Sequence, residues 1–238
     1  MDEQPRWRGE AARPIYLGVD VAGAKNTWVA ALSPGEDGLA VVDGPRLASL
    51  EEVVRYCEEN DVVAAAIDAQ LTIALSEENG FRTSDLHLRE LLPPECRTWV
   101  ASYNSLMAVP IRGRMLADHL SPVVGTLLET HPRASVLFAL GDKAHERVRT
   151  YKRGDASSRA DHTRELWRLW SERFGIVHPD PVRDDGALDA LVCATVAYLF
   201  HHEPAGLLRL RHEVAGKTGR GPFYVLAPKG AISESRNA

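Results

Sequence analysis

Ile15-Tyr16-Leu17-Gly18-Val19-Asp20-Val21-Ala22-Gly23-Ala24-Lys25-Asn26-Thr27-Trp28 is an apolar run that ends on an acid and turns through small residues. It then enters a second apolar run, Trp28-Val29-Ala30-Ala31-Leu32. Ile, Tyr, Leu, Gly and Val in succession suit a strand covered on both faces. Asp20 then stands at the lip of a sheet, where an acid is seldom left without a partner. The same grammar recurs in Val62-Val63-Ala64-Ala65-Ala66-Ile67-Asp68 and in Val123-Val124-Gly125-Thr126-Leu127-Leu128-Glu129. Three apolar strands that each deliver a carboxylate at the C-terminal end point to a shared metal.

Working outward, strands are expected near 15–20, 27–32 and 39–42, with Ser33-Pro34-Gly35-Glu36-Asp37-Gly38 as the turn between the last two. Such short links make an antiparallel meander. Ser49 with Glu52 forms a capping box, and Leu50, Val53, Val54 and Cys57 give the following helix an apolar face. That helix makes a parallel crossover to the strand ending at Asp68. Further helices are expected near 85–91, from Pro110 to Leu120, over 134–140, from Ser158 as cap, and from Asp185 as cap through His201. Residues 142–157 read as a mobile polar loop, and 221–226 as a final edge strand. The whole is an α/β mixed sheet, three antiparallel strands then parallel ones, with helices on both faces. It forms a single domain over 14–230, between a flexible arm at 1–13 and a disordered tail at 231–238.

The 238 residues carry 28 Lys and Arg against 33 Asp and Glu, a net charge of −5. No global field draws such a chain to nucleic acid or membrane, so any nucleic-acid surface has to be local. Cys57, Cys96 and Cys193 show no metal-ligand spacing and read as core thiols of a reducing, cytoplasmic setting. The first residues are too polar for a secretory signal, and no apolar run reaches membrane-spanning length.

Strands in this order with acids at these ends resemble the RNase H fold. Local stretches resemble the domain of unknown function 429 family, described as predicted nucleases: Gly18-Val19-Asp20 with Gly23, Lys25 and Trp28; Ile67-Asp68-Ala69; and Arg82-Thr83-Ser84-Asp85-Leu86-His87-Leu88-Arg89. Glu129-Thr130-His131-Pro132 and Asp184 to Ala194 complete the set, in the family's order. The family continues its second acid into a Pro-Leu segment, where this chain has Gln70-Leu71-Thr72. The resemblance implies nuclease chemistry.

Carboxylates suit Mg²⁺ or Mn²⁺, which prefer hard oxygen ligands, and two such ions can cleave a phosphodiester by in-line water attack. The expected ligands and catalytic residues are Asp20, Asp68, Glu129 and Asp189, with Asp185 as a further ligand. Each has a plainer alternative: a turn for Asp20 and Glu129, a loop cap for Asp68, helix-dipole complementation for Asp189 and an N-cap for Asp185. Asp20, Asp68 and Asp189 are expected to converge, with Glu129 joining them directly or through water. His131 reads as a turn residue, and Trp167 and Trp170 as core.

Residues 143–173 hold nine basic residues against five acids. Lys143, Arg147, Arg149, Lys152 and Arg153 in that segment, and Lys25 apart from it, are candidates for contacts to a DNA or RNA backbone, or else solvated surface. The leading function is a metal-dependent nuclease. One alternative is a non-enzymatic nucleic-acid-binding or assembly module with the same fold. Another is an actin/hexokinase-type phosphotransferase, which Asp20 to Thr27 loosely suggests but which needs two facing domains.

Overall fold

Alternation along the first strand builds both halves of the core. In a computed structural model describing residues 13–72, 79–106, 108–178, 180–211 and 221–228, β1 (Ile15–Asp20) sends Tyr16 to one side and Leu17 and Val19 to the other. The terminal arm and tail expected from the sequence lie outside these residues, apart from Arg13.

β2 (Trp28–Gly35) and β3 (Gly38–Leu47) continue antiparallel from β1, while β4 (Val62–Asp68) and β5 (Thr126–Glu129) add in parallel on the other side. A two-residue strand, β6 (Ile176–Val177), completes the sheet in the order β5-β4-β1-β2-β3-β6. This is the α/β, RNase H-like mixed sheet expected from the sequence, with one short edge strand added. A second sheet pairs β7 (Leu207–Arg209) with β8 (Tyr224–Leu226), so the expected last strand belongs mainly there. It still touches the main sheet where Pro222 O accepts from Glu129 N.

One face of the sheet is covered by α1 (Leu50–Glu59) and α3 (Ala108–Leu120), whose Val53, Cys57, Leu116 and Leu120 meet Leu17, Val19, Ala65 and Ile67. The capping box at Ser49 forms as expected, with Glu52 N donating to Ser49 Oγ and Ser49 N donating to Glu52. The other face is covered by α4 (Pro132–Leu140), α6 (Ala156–Phe174) and α7 (Asp185–His202), and Trp167 and Trp170 lie in that core.

α7 decides where the site forms. A Cβ on Gly18 would lie 1.9 Å from Ala190 O and 2.2 Å from Ala194 N, so only glycine lets this helix rest directly on β1. A Cβ on Gly186 would likewise lie 2.2 Å from Trp28 Cδ1 and 3.0 Å from Asp20 Oδ2. The two glycines bring the first turns of α7 against the end of β1.

Three local expectations are corrected. Residues 142–157 are not a mobile loop, because α5 (His145–Thr150) forms there with Val148 and Tyr151 buried beneath it. The cap of α6 is Asp155, which accepts from Ser158 N, so Ser158 is the donor rather than the cap. Asp184, not Asp185, precedes the first turn of α7. α2 (Thr83–Leu91) starts two residues before its expected position, and a 3-10 turn over Pro94–Trp99 follows the Pro93 break.

Candidate metal centre

Asp20 and Asp68 are register partners at the ends of adjacent parallel strands, and both project toward α7. Asp189, one turn into α7 and fully buried, meets them there. Each of the three offers a carboxylate oxygen within 4.8 Å of the others. This is the convergence the sequence predicts for these three. Packing three acids together has an electrostatic consequence. Burial, then the charges of Asp189 and Asp68, hold the Asp20 carboxyl well above the usual carboxylate range. Burial foremost, with Asp189 and Glu129 adding against the opposing charge of Lys152, raises Asp68 to about 7.

Two residues from the C-terminal end of α5 serve Asp189. The Tyr151 hydroxyl donates to Asp189 Oδ1 at 2.9 Å. Lys152 Nζ forms an ion pair with Asp189 Oδ2, without the geometry of a hydrogen bond. Burial alone would lower the lysine's pKa, but Asp189, Tyr151, Asp20 and Asp68 together push it well above normal. Lys152 is therefore the cation paired with the acidic cluster, set apart from the arginines it is grouped with in the sequence.

Glu129 does not join the three. It stands in register with Ile67, one residue before Asp68, so the two-residue period turns its side chain to the opposite face. There it binds a fully buried arginine. Arg82 donates from Nη1 to Glu129 Oε2 at 2.8 Å and from Nη2 to Glu129 Oε1, and it reaches Asp85 Oδ1 at 2.7 Å. Leu71 N also donates to Glu129 Oε2, and Arg82 Nη1 to Thr72 O. This triad holds the loop that follows Asp68. Burial raises the Glu129 carboxyl, with Arg82 opposing it. The pairing is the feature that sequence reasoning missed, although Arg82 and Asp85 stood three apart within the family-like element.

Asp185, the first residue of α7, lies outside the three-acid group, although its charge adds to the rise of Asp20. His131 caps α4: its Nδ1 accepts from Ala134 N at 3.3 Å, which leaves Nε2 to donate to Trp99 O. Of the remaining basic candidates, Lys25, Lys143, Arg147, Arg149 and Arg153 are exposed, and Arg149 pairs with Glu146 at 3.2 Å. Lys143 lines a separate shallow depression with Leu169 and Arg173.

A cleft of about 240 Å³ opens beside Asp68, lined by Lys152, Arg133, Trp99, Phe223, Gln70 and Thr130 among others. Gln70 Oε1 and Thr130 Oγ1 are buried without a hydrogen-bond partner. Such atoms suit a site that a polar ligand completes.

Among the described residues, no helix is long and apolar enough to cross a membrane. No curated protein and no solved structure matches the chain. The family described as "Protein of unknown function (DUF429)" matches residues 18–209, from the glycine beneath α7 to the end of β7, and the chain belongs to that family.

Proposed function

We propose that this protein is a Mg²⁺- or Mn²⁺-dependent nuclease that hydrolyses phosphodiester bonds of nucleic acid, with Asp20, Asp68 and Asp189 as metal-holding residues. The observation that carries this reading is the approach of three carboxylates to within 4.8 Å, beside a cleft that Asp68 lines. Ligands on opposite sides of one ion with metal–oxygen distances of about 2.1 Å stand about 4.2 Å apart, so the spacing fits hard-cation coordination. Divalent ions bound there would activate a water and neutralise charge on the phosphate and the leaving oxygen.

The chain's own residues divide the remaining work. Tyr151 orients Asp189, and the Glu129–Arg82–Asp85 triad fixes the loop beside Asp68. Lys152 sits where it can pass from Asp189 to a phosphate oxygen once divalent charge takes its place. Exposed Lys25, Lys143, Arg147 and Arg153 are the sequence-independent contacts available to a polyanion.

The test is Mn²⁺ titration by calorimetry together with cleavage of labelled single- and double-stranded DNA and RNA. Wild type should bind Mn²⁺ and cut at least one substrate, and Asp20→Asn should lose both. Mn²⁺ binding that survives Asp20→Asn unchanged would refute the assignment. The Lys152–Asp189 pair favours one second reading, a nucleic-acid-binding or assembly module whose acids are neutralised by lysine rather than metal. Nucleic-acid binding with no Mn²⁺ uptake would support it.

A further inference from the structure

A different ligand set lies away from the carboxylates. Glu95 and Cys96, in the turn over Pro94–Trp99, face His145, the first residue of α5, and the three ligand atoms lie within 4.8 Å of one another. His145 Nε2 is 3.4 Å from Glu95 Oε1 and 4.0 Å from Cys96 Sγ. One imidazole nitrogen carries at most one proton and cannot serve both neighbours, whereas a cation in the middle serves all three. Tetrahedral coordination with Zn–S of about 2.3 Å and Zn–N and Zn–O near 2.0–2.1 Å requires ligand separations of about 3.6 Å and about 3.4 Å. The histidine–glutamate distance already meets the second value, and the sulfur stands 4.0 Å from the imidazole nitrogen, a few tenths of an ångström beyond the first.

We propose that Glu95, Cys96 and His145 form a second metal site, for a zinc-class transition ion rather than for Mg²⁺. Thiolate with imidazole selects borderline-soft ions, and three protein ligands leave a fourth position for water. Glu95 and His145 are partly exposed, with side chains 45% and 31% accessible, so an ion has a way in, while Cys96 is buried beneath them. Burial, with Glu95 adding to it, raises the Cys96 thiol. Metal entry therefore forms a metal–sulfur bond as the S–H proton passes to solvent, with no change of oxidation state. The ion would tie the Pro94–Trp99 turn to the start of α5. The far end of α5 delivers Tyr151 and Lys152 to Asp189, so the second site braces the first without sharing a ligand with it.

Cobalt(II) tests this, because a cobalt–thiolate bond gives a near-ultraviolet charge-transfer band that oxygen ligands do not. Chelator-treated full-length protein, kept reduced with a phosphine, is titrated with Co²⁺. The band should saturate at one equivalent, persist in Asp20→Asn, resist excess Mg²⁺ and disappear when Zn²⁺ is added. It should be absent in Cys96→Ser. In His145→Ala, at a partly exposed position and checked for folding by circular dichroism, Co²⁺ affinity should fall at least about tenfold. No charge-transfer band in wild type, or a band that survives Cys96→Ser, overturns the proposal. Neither result bears on the carboxylate site.

Discussion

Replacing Lys152 with Met should tighten Mn²⁺ binding, an unusual outcome for removing a residue from a binding site. Lys152 already occupies Asp189 Oδ2, so an incoming divalent ion must displace it or be repelled by it. Were the ammonium to stay about 4 Å away, the repulsion at an effective dielectric of 20 would be about 8 kcal/mol. Leaving is cheaper. The lysine side chain is 32% exposed and can rotate into water, so the cost is that of breaking one partly buried ion pair. Such a pair lies between the exposed and buried limits, giving about 1–2 kcal/mol, or a factor of about 5–30 in affinity. Lys152→Met removes this cost while its chain length keeps the apolar contacts. Calorimetric titration of wild type and variant with Mn²⁺ reads the ratio directly. The metal-free variant should melt at a lower temperature, since Asp189 loses its cation, and should gain more from Mn²⁺. Equal or weaker Mn²⁺ binding in a folded Lys152→Met protein would refute the idea that lysine and metal compete for Asp189.

The raised carboxyls give the metal-free protein a pH dependence of definite sign. Between about pH 4 and about pH 7 the native state holds protons on Asp20 and Asp68 that the unfolded chain has lost, so stability falls as pH rises through that window. Melting temperature should therefore rise on acidification from 7 toward 5, and Mn²⁺ binding near pH 6.5 should release protons, seen as a buffer-dependent binding enthalpy. A buffer-independent enthalpy would contradict the raised values. Glu129→Gln should cost about 1–3 kcal/mol in urea denaturation, because buried Arg82 loses charge-assisted hydrogen bonds while Asp85 still pairs it, with Mn²⁺ affinity changed less than threefold; the opposite pattern would make Glu129 a ligand. Arg147→Ser with Arg153→Ser should flatten the salt dependence of nucleic-acid binding by about 0.7–0.9 in log–log slope per lost phosphate contact. An unchanged slope would make both arginines ordinary solvated surface.

The sheet was legible because its signals are local. An apolar strand closed by an acid, a short turn and a return strand specify β1 and β2 almost without tertiary information, and the helix between β3 and β4 fixes the parallel crossover. Asp189 was legible for a related reason: an acid in the first turns of an otherwise apolar helix must find a partner, and α7 rests on the strand that ends in Asp20. Glu129 misled because strand-end acids look alike in sequence. Which face each occupies depends on the pairing register between β4 and β5, and a shift of one residue would have sent Glu129 to the three aspartates. Its true partner, Arg82, sits 47 residues away and meets it only once the residue before α2 is brought to the end of β5.

Lys152 was hidden by a different limit. Ala144, Val148 and Tyr151 are all fully buried and recur at the spacing of one helical face, and Lys152 stands four residues after Val148 on that same side. The period was present, but the helix spans only His145–Thr150, shorter than the window in which periodicity outweighs composition. Composition won, and a stretch holding two Arg, one Lys and a third Arg read as a solvated loop. The structure separates these side chains by function: Arg147, Arg149 and Arg153 stay at the surface, while the one lysine turns inward to the acids. On the proposed metal reading lysine suits that place, because a single flexible cation could leave Asp189 to a divalent ion. The forked guanidinium of Arg82 instead remains bound to Glu129 and Asp85, where nothing needs to exchange. Lys152→Arg should therefore weaken Mn²⁺ binding where Lys152→Met strengthens it.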